Sequence, residues 1–459
     1  MATNGNNDRG HWSGPLSFVL AAAGAAIGLG NIWKFPYITG VNGGGAFVLI
    51  YLLCIAFVGL PILISEMLIG RHTQRDTVGA YLKLSAGKPG GKAWSVFGWL
   101  AVVTCGVLLS YYSIVAGWTI DYFIKAITGT LARTEVEQIP GLFDTLVANP
   151  WLNLGYLALF MVMTTTIVAG GIKGGVEKAN NILMPALFGL MTILLVYAST
   201  QKGFGAALTF LFAPDFSKLT AHGLLEALGH SFFTLSLGMG TVIVYGSYLN
   251  KGTSLVKAAI SVAFLDTLIA LMAGMTIFSI VFSFGLEPAS GPSLIFKTMP
   301  VLFALLPGGM LLASLFFILL AFAALTSTIS MLEVVVAYVV DEDHLSRKTA
   351  SMIAGGVIFL LGILSALSNS TLSGVKLLGD RNIFDSFDFL VSNVSLPIGG
   401  LAAAVFTGWL LSRQAADDEF EATGFEKGSR AFWRFCVRFV APVAIIIVLL
   451  NSVGLIKLT

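Results

Sequence analysis

The sequence predicts an all-α polytopic membrane protein with about eleven transmembrane helices, and three observations predict it. Of the 459 residues, 56% are hydrophobic and only 11% charged, with a mean hydropathy of +0.88, whereas soluble domains carry about 25% charged residues. Eleven apolar stretches reach the roughly 20 residues that a helix needs to cross a hydrocarbon core. Two of them, the first and the sixth, are interrupted by small and glycine residues. Irregular backbone at membrane depth is tolerated only where it is buried in protein or lines a cavity.

The polar tail MATNGNNDRG has no small-residue cleavage signal, so residues 1–12 read as a retained N-terminal tail and 13–37 as the first helix. Within that helix FVLAAAGAAIGLGNIWKF carries Gly24, Gly28, Gly30, Asn31 and Lys34, an interruption placed at Gly24 to Gly30. Helices follow at 45–70, 94–125, 152–170 and 178–199. The sixth, 222–248, is interrupted by TLSLGMG from Thr234 to Gly240. Four more follow at 254–284, 308–340, 348–368 and 384–412. Paired interruptions five helices apart predict a 5+5 inverted repeat, with halves 13–199 and 222–412 and broken helices 1 and 6. The stretch 432–456 is then one extra C-terminal helix.

Most of the 26 Lys and Arg fall on one side if the N-terminus is cytoplasmic, which predicts N-in, C-out. That places the chain in a plasma (bacterial-type inner) membrane. A net charge of +2 argues against a nucleic-acid partner or a strongly anionic ligand, and nothing in the sequence signals an oligomeric state. Cys54, Cys105 and Cys436 lie in or beside apolar helices without metal-ligand spacing and read as small core residues. No Walker pattern and no convergent nucleophile and base are found, so the chain does not read as an enzyme and ion coupling is the expected energy source.

Five motifs, GLGNIWKFP at 28–36, NGGGAF at 42–47, SYYSIVAGW at 110–118, SFFTLSLGMG at 231–240 and ALTSTISM at 324–331, closely resemble the neurotransmitter:sodium symporter family, in its bacterial amino-acid branch. The resemblance runs from Arg9 to about Asp388. It implies a first sodium site from the Ala26 carbonyl, Asn31, Thr234 and Asp266, completed by the substrate carboxylate. A second sodium site is implied from the Gly24, Ile27 and Ala323 carbonyls with Thr326 and Ser327. The implied substrate pocket comprises Ala26, Gly28, Leu29, Gly30, Leu108, Tyr112, Phe233, Thr234, Ser236, Met239, Ser327 and Met331. The implied outer gate is Lys34 with Asp388, through water. The inner gate pairs Arg9 with Asp341, beside Trp12 and Tyr248.

The residues carry this chemistry independently. A broken helix offers carbonyl oxygens at one cut end and N–H groups at the other, with half-dipoles of about 0.5 charge, so cation and anion sites lie side by side. A hard cation prefers such oxygens. Asp266, within VAFLDTLIALMAG, costs at least about 2.5–3.5 kcal/mol in an apolar helix unless it meets a partner or a cavity. Relatives with Asn at this position include animal members that bind chloride, so a permanent carboxylate predicts chloride independence. Where bacterial relatives place a charge-compensating Glu, this chain has Ala270. His230 reads first as a neutral, hydrogen-bonded histidine and secondly as a titrating group. Gly28 stands where amine-transporting relatives have Asp, which favours a ligand that brings its own carboxylate, and the two pocket methionines favour several neutral hydrophobic or aromatic amino acids. Gly175 and Pro185, with nine residues between them, match a motif linked in relatives to inward sodium release. Glu66 and Glu333 are assigned structural roles.

Overall fold

The computed structural model describes residues 10–287, 294–421 and 427–456. Nearly all of this is helical, and no strand forms among the described residues. The first span runs Pro15–Ala26, breaks, and continues Gly30–Val41 at a 54° bend. Straight apolar spans follow at Gly45–Thr73, Gly91–Ile127, Pro150–Ala169 and Ile172–Ser199. The sixth segment is two short helices, Ala221–Thr234 and Thr241–Ser247. Leu255–Ser283, Gly309–Glu342, Arg347–Leu367, Ile383–Leu410 and Ser429–Ser452 complete the set. The long third and eighth spans pack together along their length, and the first broken helix packs against the fifth, seventh and eighth spans.

Local chemistry sets many of these starts. Asn149 accepts from the backbone N–H groups of Trp151 and Leu152, Thr220 from Gly223, Ser254 from Lys257, Ser346 from Thr349 and Asn382 from Asp385. Each side chain satisfies a donor that the first helical turn leaves open. Four spans also carry a π-helical turn directly before a proline-bearing helix: Gly30–Lys34 before Pro36, Ile55–Gly59 before Pro61, Leu390–Ser395 before Pro397 and Cys436–Val440 before Pro442. Proline removes one N–H and its ring crowds the carbonyl four residues back, and widening the turn relieves both.

The short helix Arg413–Glu421 lies outside the bundle but is bound to it by a buried charge. Arg71, 0% exposed, donates through Nε to Glu419 Oε2 at 2.5 Å, through Nη2 to the Glu419 carbonyl at 2.7 Å, and to the Thr253 carbonyl. Trp433 at the foot of the eleventh span donates to the Pro61 carbonyl at 3.0 Å and packs on Phe420. Arg71 thus joins the second span, the loop after the sixth and the tenth-to-eleventh connection at one point. The cysteines are free, with Cys105 and Cys436 buried. Replacing Arg71 by Met leaves the buried Glu419 carboxylate with the His72 ring at 3.2 Å and should cost about 3–5 kcal/mol, read as a lowered Tm in detergent. Arg71→Met with Glu419→Leu should recover part of the loss.

Candidate functional site

The first helix ends because Ile27 turns extended, φ −72° and ψ 102°. Gly24 remains helical and packs against Asn180 and Thr326, so the interruption is shorter than the predicted Gly24 to Gly30 and spans only Ile27 to Leu29. In the sixth segment the backbone leaves the helix at Leu235. Ser236 and Gly238 take left-handed conformations, φ +54° and +81°, which is costly for a serine. Ser236 Oγ donates to the Ala25 carbonyl at 2.8 Å, and the Gly238 N–H donates to Glu66 Oε1 at 2.7 Å. The two breaks therefore touch, and Glu66 satisfies an open peptide group, in keeping with its structural assignment.

Asp266, Asn31 and Thr234 meet beside the first break, all essentially unexposed. Asn31 Nδ2 donates to Asp266 Oδ1 at 2.6 Å, to the Asp266 carbonyl at 3.2 Å and to Thr234 Oγ1 at 3.0 Å, while Asn31 Oδ1 accepts from the Gly28 N–H at 3.1 Å. The Thr234 hydroxyl lies 3.0–3.1 Å from both Asp266 oxygens. Every hydrogen-bond partner of this carboxylate is neutral, and the amide NH2 stands where a positive charge is wanted. Turning the Asn31 amide presents Oδ1 instead and yields an all-oxygen set suited to a hard cation.

At the second expected sodium site the Ala323 carbonyl accepts from Thr326 Oγ1 at 3.0 Å and Ser327 Oγ at 3.2 Å, and the last turn of the first helix packs against Thr326. Asn180 was not singled out from the sequence. Its Oδ1 is buried without a hydrogen-bond partner and lies against Gly24. The signal available was the Asn180–Asn181 pair at the start of an apolar span. Gly175 sits in a π-helical turn, Ile172–Glu177, and Pro185 inside the following helix.

Between these two groups of oxygens lies a small cavity lined by Ala25, Ala26, Gly28, Gly30, Leu108, Tyr112, Phe233, Thr234, Ser236, Met239, Ser327 and Met331. It gathers every expected pocket residue except Leu29, whose side chain lines the outer cavity while its N–H donates to the Tyr112 hydroxyl at 3.1 Å. A Cβ on Gly28 would sit 2.8 Å from Ser327 Oγ and 3.0 Å from Tyr112 Oη, so only glycine keeps this space open. The lining thus combines the Tyr112 phenol, the Thr234, Ser236 and Ser327 hydroxyls and the side chains of Met239 and Met331.

A second cavity of about 320 Å³ lies outward, sharing Gly30, Leu108, Tyr112 and Phe233 with the first and lined also by Lys34, Asp385 and Asp388. Lys34 Nζ stands 4.7 Å from the Phe233 ring centroid, and Asp388 Oδ1 accepts from Tyr111 at 3.1 Å and Ser392 at 3.0 Å. The two expected gate charges face one cavity without a direct ion pair. At the other end Trp12 donates to the Tyr245 carbonyl at 2.9 Å and packs edge-on to Tyr245 and Tyr248. Tyr248 donates to Glu333 at 2.7 Å, and Glu333 pairs with Arg347, a partner that was not foreseen. Asp341 accepts from the Asp76 N–H at 2.9 Å; its expected partner Arg9 lies outside the described residues. The His230 ring is packed against Phe35 and Tyr51, and neither nitrogen has a hydrogen-bond partner, unlike the hydrogen-bonded histidine expected.

Comparison with known proteins agrees with this geometry. The family model described as "Sodium:neurotransmitter symporter family" matches residues 9–140 and 151–458. The uncharacterized sodium-dependent transporter YhdH of Bacillus subtilis is 40% identical, covering 97% of this chain and 98% of its own length. An uncharacterized sodium-dependent transporter of Haemophilus influenzae is 34% identical over 98% of this chain and 100% of its own. Among solved structures, MhsT in complex with L-phenylalanine is 46% identical, with a TM-score of 0.88 over 97% of this chain and 100% of that one. A multi-pass helical bundle, two helices opened against each other and a match over almost the whole length lead to one conclusion: this chain belongs to the sodium:neurotransmitter symporter family.

Proposed function

We infer that the protein is a symporter that imports neutral hydrophobic amino acids with two sodium ions, by alternating access and without chloride. The observation that carries this reading is Asp266, a fully buried carboxylate in a membrane helix whose hydrogen bonds all come from neutral groups. Such a group needs a cation, since leaving it unpaired is expensive. Sodium beside Asn31, Thr234 and the Ala26 carbonyl supplies the charge, and the carboxylate of a zwitterion held by Tyr112 and the peptide N–H groups near Gly30 completes the shell. Ion and ligand then bind better together than apart. Two sodium ions balance Asp266 and the substrate carboxylate, which removes the need for chloride.

The second ion belongs among the Gly24, Ile27 and Ala323 carbonyls with Thr326 and Ser327, where the unpaired Asn180 oxygen adds a polar neighbour. Lys34 with Asp388 closes the outer path, and Trp12, Tyr248 and Asp341 close the inner one. The L-phenylalanine in the MhsT structure fits a pocket whose lining includes Met239 and Met331. Residues 13–199 and 222–412 act as the two inverted halves, 432–456 as an added helix, and the N-terminus lies in the cytoplasm of a cell bounded by this membrane. Two ions draw about 2.3 kcal/mol each per 100 mV and about 1.4 kcal/mol each per tenfold gradient, together about 7 kcal/mol. That drives accumulation by about five orders of magnitude in the ideal limit.

Uptake of radiolabelled phenylalanine or leucine into proteoliposomes tests the reading. An inward sodium gradient should drive accumulation, and equal uptake with potassium throughout would refute it. Replacing chloride by gluconate should leave the rate within about twofold; a large loss would defeat the chloride-independent assignment. Asp266→Asn should weaken sodium-dependent ligand binding at least about tenfold, with part of the activity returning on added chloride. Gly28→Ala should lose amino-acid binding by about tenfold or more, because its Cβ crowds Tyr112 Oη and Ser327 Oγ, read by equilibrium binding in detergent.

A further inference from the structure

At the end of the bundle that holds Trp12 and Arg347, the tenth-to-eleventh connection gathers arginines with too few acceptors. Arg430 pairs with Asp417 at 3.0 Å. Arg438 donates through Nε to the Gly408 carbonyl and lies 5.3 Å from the Trp409 ring centroid. Arg413 and Arg434 hold no hydrogen-bond or ion-pair partner among the described residues, although Arg434 is only partly exposed. Among the described residues, the charges acting on Arg434 are the guanidiniums of Arg438, Arg413 and Arg430 and one carboxylate, Asp417, which Arg430 engages. Like charges held this close repel unless an anion joins them.

The same corner carries an apolar strip. Trp409, Phe435 and Phe439 are 51–56% exposed and form a continuous row, with ring centroids 5.8 Å apart from Trp409 to Phe439 and again from Phe439 to Phe435. Arg434 and Arg438 are spaced i, i+4 on the eleventh span, as are Phe435 and Phe439, so guanidiniums and rings run side by side down the helix. A soluble anion uses only the first row. A molecule with a phosphate at one end and hydrocarbon at the other uses both. Guanidinium matches phosphate with a planar pair of donors, and basic pockets between membrane helices at the interface take acidic head groups.

We propose that Arg413, Arg434 and Arg438 with Trp409, Phe435 and Phe439 form a binding site for an anionic phospholipid, its phosphate among the arginines and an acyl chain along the aromatic row. The site is separate from the amino-acid and sodium sites and does not depend on their assignment. It adjoins the foot of the tenth span, through the bond from Arg438 to Gly408, and the helix Arg413–Glu421 that Arg71 binds.

The test uses the full-length protein in detergent, with phosphatidylglycerol, phosphatidylcholine and inorganic phosphate as separate probes. Native mass spectrometry should show phosphatidylglycerol retained by the wild-type chain at least tenfold more tightly than phosphatidylcholine. Its titration should raise Tm, while inorganic phosphate at millimolar concentration should not. Arg413→Gln with Arg434→Gln should weaken that retention at least tenfold and shrink the Tm response. Lys173→Gln with Lys178→Gln, exposed at the same end but on the fifth span, should leave both unchanged. Should the double variant fail to fold, the exposed Arg413→Gln alone should still weaken retention at least threefold. Unchanged retention in the arginine variants overturns the proposal, as do equal retention of phosphatidylcholine and an equal response to inorganic phosphate.

Discussion

An open peptide group in a membrane interior must find a partner, and this chain opens two helices against each other. Each unsatisfied group costs several kcal/mol in hydrocarbon, so the surroundings of the breaks are largely an answer to that cost. Ser236 reaches the Ala25 carbonyl, Glu66 takes the Gly238 N–H, Tyr112 takes the Leu29 N–H and Asn31 takes the Gly28 N–H. These side chains come from the second, third and sixth spans as well as the first. The bundle therefore has to be assembled before either break is tolerable, and the small cavity at their junction is what this mutual satisfaction leaves over.

The path of the helices was legible because hydrophobic length is a strong signal, and both interruptions were legible because glycine and small residues cluster there. Eleven of the twelve residues expected from the motifs to form a pocket line one cavity. What the sequence concealed is pairing at a distance. Arg71 and Glu419 are 348 positions apart, and nothing near either residue announces the other. Arg347 looked like one more basic residue at a span's start, yet it neutralises Glu333. Asn180 was passed over because an Asn-Asn pair beside Glu177 and Lys178 reads as the polar end of a span, and only the packing against Gly24 separates Asn180 from its neighbour. His230 was expected to seek a hydrogen bond, and aromatic packing from Phe35 and Tyr51 took precedence.

The charges divide into groups with distinct physical settings. Arg71 and Glu419 are buried and mutually satisfied, an arrangement that fixes geometry more than it adds stability. Asp266 is buried beside neutral groups alone, and the proposed sodium site rests on that setting. Lys34 and Asp388 face a shared cavity and are held apart by Phe233 and Tyr111, so their separation is free to change with little desolvation.

The proline-linked π-helical turns bear on rotational phase. A wider turn holds one surplus residue, and every side chain beyond it is rotated by about 100° relative to an unbroken α-helix. In the second span the turn at Ile55–Gly59 lies between Phe47 and Glu66, so it decides which azimuth the Glu66 carboxylate occupies. Deleting one residue there would swing that carboxylate away from Gly238 while leaving span length nearly intact. The bearing of the polar centre is in this sense keyed to Pro61, a residue that touches none of it.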